Sequence, residues 1–186
     1  MLSASNEITR LLEEWNRGEP EALERLIPAV YSELRVLARH HLRMEQAVSL
    51  QPTELVHEVF FRIAAHRKPD FQNRAHFFGA IAEMMRRTLV DLSRARKAAK
   101  RGATLVRVDL AEADKVASSE LDLELIDIAL QRLAALDAGQ GRLVELRFFG
   151  GLTIEEAAEV MEISSATAKR EWRLAKAWLL RELEGR

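Results

Sequence analysis

Four cations crowd one side of a short stretch near the C-terminal end: Lys169, Arg170, Arg173 and Lys176. Between them run Ala168, Trp172, Ala175 and Leu179, spaced i, i+4, i+7, i+11, which makes an inner apolar face on a helix. A helix that is apolar toward its own domain and cationic outward suits a phosphate backbone. Polar residues early in it, Ser165 and Thr167, can reach base edges. Just upstream, Thr153-Ile154-Glu155-Glu156 has the form of a capping box, so a helix should start there. Small Ala157 and Ala158 allow a close crossing, and Ser164 or Ser165 can cap the next helix, which gives the spacing of a helix-turn-helix. The alternative is a solvated amphipathic helix pair. The capping box, the short turn and the one-sided charge favour DNA.

A second cationic series occupies residues 86–101, which hold seven basic residues and one acidic. Phe78, Ile81, Met85, Leu89 and Leu92 make a helical core stripe, and nearly opposite lie Arg87, Arg94, Lys97 and Arg101. A straight rail of cations tracks phosphates, and only Asp91 interrupts its sign. Before it come Phe71, Asn73, Arg74 and Phe77. Phe71 and Phe77 beside amides and cations either stack on unpaired bases or fill a core around a tight loop. Residues 54–66 form a further helix with Val56, Val59, Phe60 and Ile63 inward, and Glu54, His57, Glu58 and Phe61 on the other side. An aromatic on an acidic outer face reads as a protein-binding surface, although a lone exposed apolar residue is common.

These surfaces need helices to carry them. Helical periodicity covers residues 5–17, 20–44, 54–66 and 75–101, then 122–136, 139–149 and two helices within the last forty or so residues. Gly18, the Ser49-Leu50-Gln51-Pro52-Thr53 segment, with Thr53 as N-cap, Arg67-Lys68-Pro69-Asp70 and Gly150-Gly151 are the breaks. Residues 102–121 have no period and are rich in Asp, Glu, Ala and Ser, the composition of a linker. The expected fold is all-α: two small helical domains, 1–101 and 122–186, joined by the acidic linker 102–121.

Composition excludes other classes. Helix formers dominate, and aromatics are only 6%, so a large sheet is not expected. There is no cysteine, which removes disulfides and thiolate metal sites and fits a reducing cytoplasm. No run approaches the roughly 20 apolar residues that cross a bilayer, so no membrane partner is expected. His40 and His41 point to different sides of a helix, and His57, His66 and His76 are too far apart for a local metal site. Neither a nucleophile motif nor a phosphate loop is present, so no enzyme activity and no cofactor are expected.

Together the segments resemble the extracytoplasmic-function (ECF) group of the sigma-70 family over nearly the whole length. Thr53-Glu54-Leu55-Val56-His57-Glu58-Val59-Phe60-Phe61-Arg62 is similar to region 2.2, residues 71–101 to regions 2.3 and 2.4, and Leu146-Arg147-Phe148-Phe149-Gly150-Gly151-Leu152-Thr153 with the following helix pair to region 4. Ser49-Leu50-Gln51-Pro52-Thr53, Arg74-Ala75-His76-Phe77-Phe78 and the 168–175 segment further resemble one ECF subgroup.

The resemblance implies a division of labour. Glu54, Leu55, His57, Glu58, Phe61 and Arg62 would bind core RNA polymerase, whose β′ clamp helices and β flap are the implied contacts. Phe71, Asn73, Arg74, Phe77, Arg86, Arg87, Arg94, Lys97 and Arg101 would serve the minus-10 element. Ser165, Thr167, Lys169, Arg170, Arg173 and Lys176 would read the minus-35 element. Promoter DNA and an anti-sigma factor or other regulator are the remaining implied partners. A stand-alone helix-turn-helix regulator is the competing reading, but it leaves the N-terminal half without a task. Two departures stand out. Glu54 and His57 replace residues that are often Asp and Gln, and Glu162 occupies a turn position where Gly is frequent. A non-Gly residue at positive φ there costs about 1 kcal/mol.

Overall fold

The computed structural model describes residues 2–44, 51–65, 71–102 and 123–184. Among them are eight helices: α1 (Leu2–Asn16), α2 (Pro20–Met44), α3 (Pro52–Ala65), α4 (Arg74–Gly102), α5 (Leu123–Leu136), α6 (Ala138–Phe148), α7 (Ile154–Val160) and α8 (Ser165–Glu184). The fold is all-α, as the periodicity implies. His66, the 67–70 break, Ser49, Leu50 and nearly all of the 102–121 stretch lie outside the described residues.

Local chemistry sets most helix ends. Pro20 opens α2 at a position where its missing N–H costs nothing. Pro52, not a residue after Thr53, opens α3, so Thr53 is not the N-cap expected from the sequence. Gln51 precedes the first turn: its carbonyl accepts from the Glu54 and Leu55 N–H groups, and its own N–H donates to the Glu54 carboxylate at 2.8 Å. Asp137 caps α6 by accepting from the Gln140 N–H. Gly18 makes the turn between α1 and α2 at φ +87°, a left-handed conformation that a Cβ disfavours.

The helix α4 is the shared element. One side of it packs on α1 and α3, and other parts meet α5, α6 and α7. Phe77, Phe78, Ile81, Met85 and Leu89 are buried along it, in one continuous core that also includes Leu26, Leu34 and Val59 on one side and Leu143, Leu146 and Phe149 on the other. The α4–α6 approach is close. A Cβ on Gly150 would lie 2.5 Å from the Leu146 carbonyl oxygen, 2.9 Å from Ala82 Cβ and 3.1 Å from the Phe78 carbonyl oxygen. A Cβ on Gly79 would touch Leu146 and Val160, each at 3.3 Å.

His41 on α2 is fully buried, its ring stacked on Phe149 at 5.4 Å and tilted against Phe148 at 5.2 Å. Burial, assisted by neighbouring His40, lowers its pKa from 6.5 to about 4, and the adjacent backbone of Phe149 and Phe148 works weakly the other way. The neutral ring is therefore the packed form.

Two outcomes follow. Because its folded pKa is depressed, His41 contributes stability that is present above pH 6.5 and lost as pH falls toward 4. The loss should reach on the order of 3 kcal/mol near the lower value, and urea titrations of the wild type and of His41→Leu across this range should show that sag only in the wild type. Gly150→Ala should cost about 1–3 kcal/mol, because its neighbours are largely backbone and cannot yield. Gly18→Ala, which has open space around it, should cost no more than about 1 kcal/mol of backbone strain. Equal losses in denaturant titrations of the two variants would contradict this account of the α4–α6 contact.

Candidate nucleic-acid interface

The C-terminal helix pair is built by local bonds. The Thr153 side chain accepts from the Glu156 N–H, and the Glu156 carboxylate accepts from the Thr153 N–H at 2.9 Å, which completes the capping box. The turn after α7 passes through Glu162 at φ +54°, the expected left-handed non-Gly residue, with its N–H bonded to the Glu159 carbonyl. Ser164 then accepts from the Thr167 N–H at 3.1 Å and starts α8.

Lys169, Arg170, Arg173 and Lys176 are all exposed on α8, and Ser165 and Thr167 are half-buried beside the turn. Lys169 pairs with Glu155 at 3.0 Å, and this contact holds the exposed Glu155 carboxyl below its usual range. Arg170 lies beside Glu171 at 2.9 Å. Along the inner stripe, only Ala168 and Ala175 are fully buried. Trp172 is half-buried, packed at the core margin with the Arg147 guanidinium 4.1 Å from its ring centre. The stripe faces inward as its spacing implies, but alanines rather than the tryptophan occupy the closest contact.

The α4 surface differs from expectation. Phe71 is 6% exposed and Phe77 fully buried; their rings meet edge to face at 5.2 Å, and Phe71 also tilts against Trp15. Neither ring offers a face to a base in this conformation, because both complete the core where the chain enters α4. Asn73 caps that entry, accepting from the His76 N–H at 2.9 Å, and its amide donates to Glu159 at 2.7 Å. Arg74 bridges Glu33 and Glu156 while lying over the Phe78 ring at 4.5 Å.

Arg86 is held between Asp127 at 2.7 Å and Glu145 at 3.1 Å. Arg94 reaches Asp127 at 3.6 Å, and Arg87 pairs with Glu83 one turn earlier. Lys97 and Arg101 lie further along α4. The cationic face is thus flanked by carboxylates from α5, α6 and α7. The local signal for them was faint: Asp127 and Glu145 sit within buried stripes of their helices, beside Ile126 and Leu130 and beside Val144 and Leu146. A carboxylate at such a position needs a cation.

On α3, Glu54, His57, Glu58 and Phe61 are exposed, and Phe61 is 73% exposed. Leu23, Ile27, His57, Phe60, Phe61 and Ile63 line an apolar groove of about 440 Å³ between α2 and α3. Arg62 is half-buried, bonded to Glu58 at 3.2 Å and Asp91 at 3.3 Å. Leu55 departs from the expected set. It is fully buried in the core and presents nothing to a partner.

Because Trp172 sits at the core margin under Arg147, its truncation should cost less than emptying a closed core site, which costs about 3–5 kcal/mol for an aromatic. Denaturant titration of Trp172→Ala should show a loss on the order of 2 kcal/mol with α8 still helical by circular dichroism. A loss beyond that closed-core range would place the ring deeper than its half-burial indicates.

The family model for the ECF sigma factor matches residues 5–185. No curated protein and no solved structure matches the chain. Among the described residues no helix is long and apolar enough to cross a membrane. The helix-turn-helix with its cationic outer face and the match over nearly all 186 residues agree: the chain belongs to the ECF sigma factors, non-catalytic factors of promoter-specific transcription initiation whose partners are core RNA polymerase and promoter DNA.

Proposed function

We propose a specific division of labour for this sigma factor. Residues 1–101 form the domain that docks on core polymerase and opens and reads the minus-10 element, residues 122–186 form the domain that reads the minus-35 element, and residues 102–121 link them. The observation that carries the reading is α8: four exposed cations on one side, alanines packed on the other, and a capped turn in front of it.

In the minus-35 complex, α8 enters the major groove with Lys169, Arg170, Arg173 and Lys176 toward DNA. Ser165 and Thr167 lie at its leading end, where phosphate and base edges come within reach. For polymerase, the exposed Phe61 beside the α2–α3 groove supplies an apolar anchor, and Glu54, His57, Glu58 and Arg62 form its polar rim. On α4, Arg87, Arg94, Lys97 and Arg101 follow the backbone of the opening strand, with Asn73, Arg74 and Arg86 nearer the start of the helix. The protein works in the cytoplasm, where polymerase and promoter are.

Run-off transcription and gel-shift assays, each with and without core enzyme, test the reading. The isolated chain should bind promoter duplex weakly, because two reading surfaces joined by a linker lose ordering entropy on binding together. Core enzyme should convert this into specific, salt-sensitive initiation. Arg173→Ala should cost about 1–3 kcal/mol of minus-35 discrimination if it contacts a base, and less if it meets only phosphate. Glu58→Lys with Phe61→Ala should abolish initiation without unfolding the protein. Tight, sequence-specific binding by the chain alone, together with transcription indifferent to the Glu58 and Phe61 changes, would instead make it a stand-alone regulator.

A further inference from the structure

We propose that Glu155 is a specificity-determining residue of the C-terminal reader: it holds the Lys169 ammonium away from phosphates and yields it to an acceptor on a base edge. The proposal rests on the reading of α8 as the DNA-facing helix.

The four cations of α8 are not equivalent. Among the described residues, Arg173 and Lys176 have no acidic partner. Arg170 lies beside Glu171 of its own helix, and that carboxylate also accepts from the Gln140 amide at 2.9 Å. Lys169 is paired across helices, to Glu155 of α7 at 3.0 Å. The Glu155 side chain is 61% exposed and that of Lys169 59%, so the acid shares the outer surface with the cations. A carboxylate there weakens indiscriminate binding in two ways. It repels the DNA backbone, and it withholds one cation from the phosphates.

A second cation keeps the acid in place. The Arg147 guanidinium of α6 lies 4.1 Å from the centre of the Trp172 ring, and its charge also acts on Glu155. When Lys169 leaves, Glu155 still faces a cation, one anchored by a ring packed at the core margin. The exchange itself is easy, because an ion pair this exposed is weak and screened by salt.

Position along α8 decides what can take Lys169. It lies one turn into the helix, after Ser165 and Thr167, while Arg173 and Lys176 follow one and two turns later. The first turns of a reading helix contact the base edges in the major groove. A helix lying loosely over the backbone leaves Lys169 with Glu155. A helix seated in the groove brings it to the O6 and N7 of a guanine, which replace the carboxylate as acceptors. Affinity for any duplex then comes from Arg173 and Lys176, and discrimination from the release of Lys169.

The test uses the isolated full chain in low salt and two duplexes of equal length. One is selected from a random pool by the full chain itself, and the other carries the same bases scrambled. Glu155→Gln should tighten binding to the scrambled duplex by about two- to fivefold, the range an exposed ion pair can withhold. It should tighten the selected duplex less, so the ratio of the two affinities falls. On the scrambled duplex the slope of log affinity against log salt should steepen by about 0.9, the signature of one more phosphate contact. Neither change should appear in a Lys169→Gln background, where there is no ammonium to free. Glu155→Asp keeps the charge and should lie nearer the parent than Glu155→Gln does. Both side chains are exposed and the Thr153–Glu156 capping box is untouched, so denaturant midpoints should not move.

Equal tightening on both duplexes overturns the proposal, as does the same tightening with Lys169 already replaced, because the acid would then act only through its general charge. An unmoved salt slope overturns it too. Replacing Lys169, Arg173 and Lys176 together with Gln separates it from the reading beneath it. If that triple variant binds both duplexes as the parent does, α8 is not the DNA surface and the proposed function falls as well. If it loses binding while Glu155→Gln changes neither slope nor ratio, α8 meets DNA and Glu155 has no part in what it selects.

Discussion

The guanidinium of Arg86 sits between Asp127 and Glu145, two carboxylates almost entirely out of water. Among the described residues no other arginine reaches both of them. Arg142 supports Glu145 from the preceding turn, at 2.5 Å, and donates to the Gly79 carbonyl at 3.2 Å. Arg94 and Gln131 complete Asp127. This network joins α4, α5 and α6 at one point, and the apolar contacts around Gly79 and Gly150 extend outward from it. A buried ionic cluster of this kind adds little to stability beyond what apolar packing would give, but it fixes which faces meet.

The same arrangement explains why Arg86, within the basic series of α4, is not a free cation. Periodicity shows that cations share a side of the helix, and says nothing of what lies across from that side. The answer comes from residues up to 86 positions away, brought close only by the tertiary fold. The net charge of −1 is the sum of blocks of opposite sign, and part of the acidic block is spent on the basic one inside the molecule.

What was legible in the sequence was local. The helices, the Thr153 capping box, the left-handed Glu162 and the inward stripe of α8 all follow from spacings of three to seven residues. At the start of α3, proline's fixed φ outranked the cap of Thr53. Two aromatic assignments went to the core instead. Phe71 and Phe77 fill the corner between α1 and α4, because large rings near a helix entry have more to gain by leaving water than by waiting for a ligand. Leu55 is one residue out of phase with the outer face of α3, a matter of angle that a motif match overlooks. The carboxylates of α5 and α6 gave only the hint of acids in apolar stripes.

The turn at Glu162 carries a consequence of a different kind. Its geometry is set by its own backbone and by bonds to the Glu159 and Ala158 carbonyls. The turn that joins α7 to α8 is therefore written within the helix pair itself. How α5 and α6 meet α4 is written elsewhere, in Asp127, Glu145 and their arginines. The turn of the C-terminal helix pair and the seating of α5 and α6 on α4 are thus separable traits in this chain. Drift in one set of residues can alter that seating while the turn keeps its own geometry.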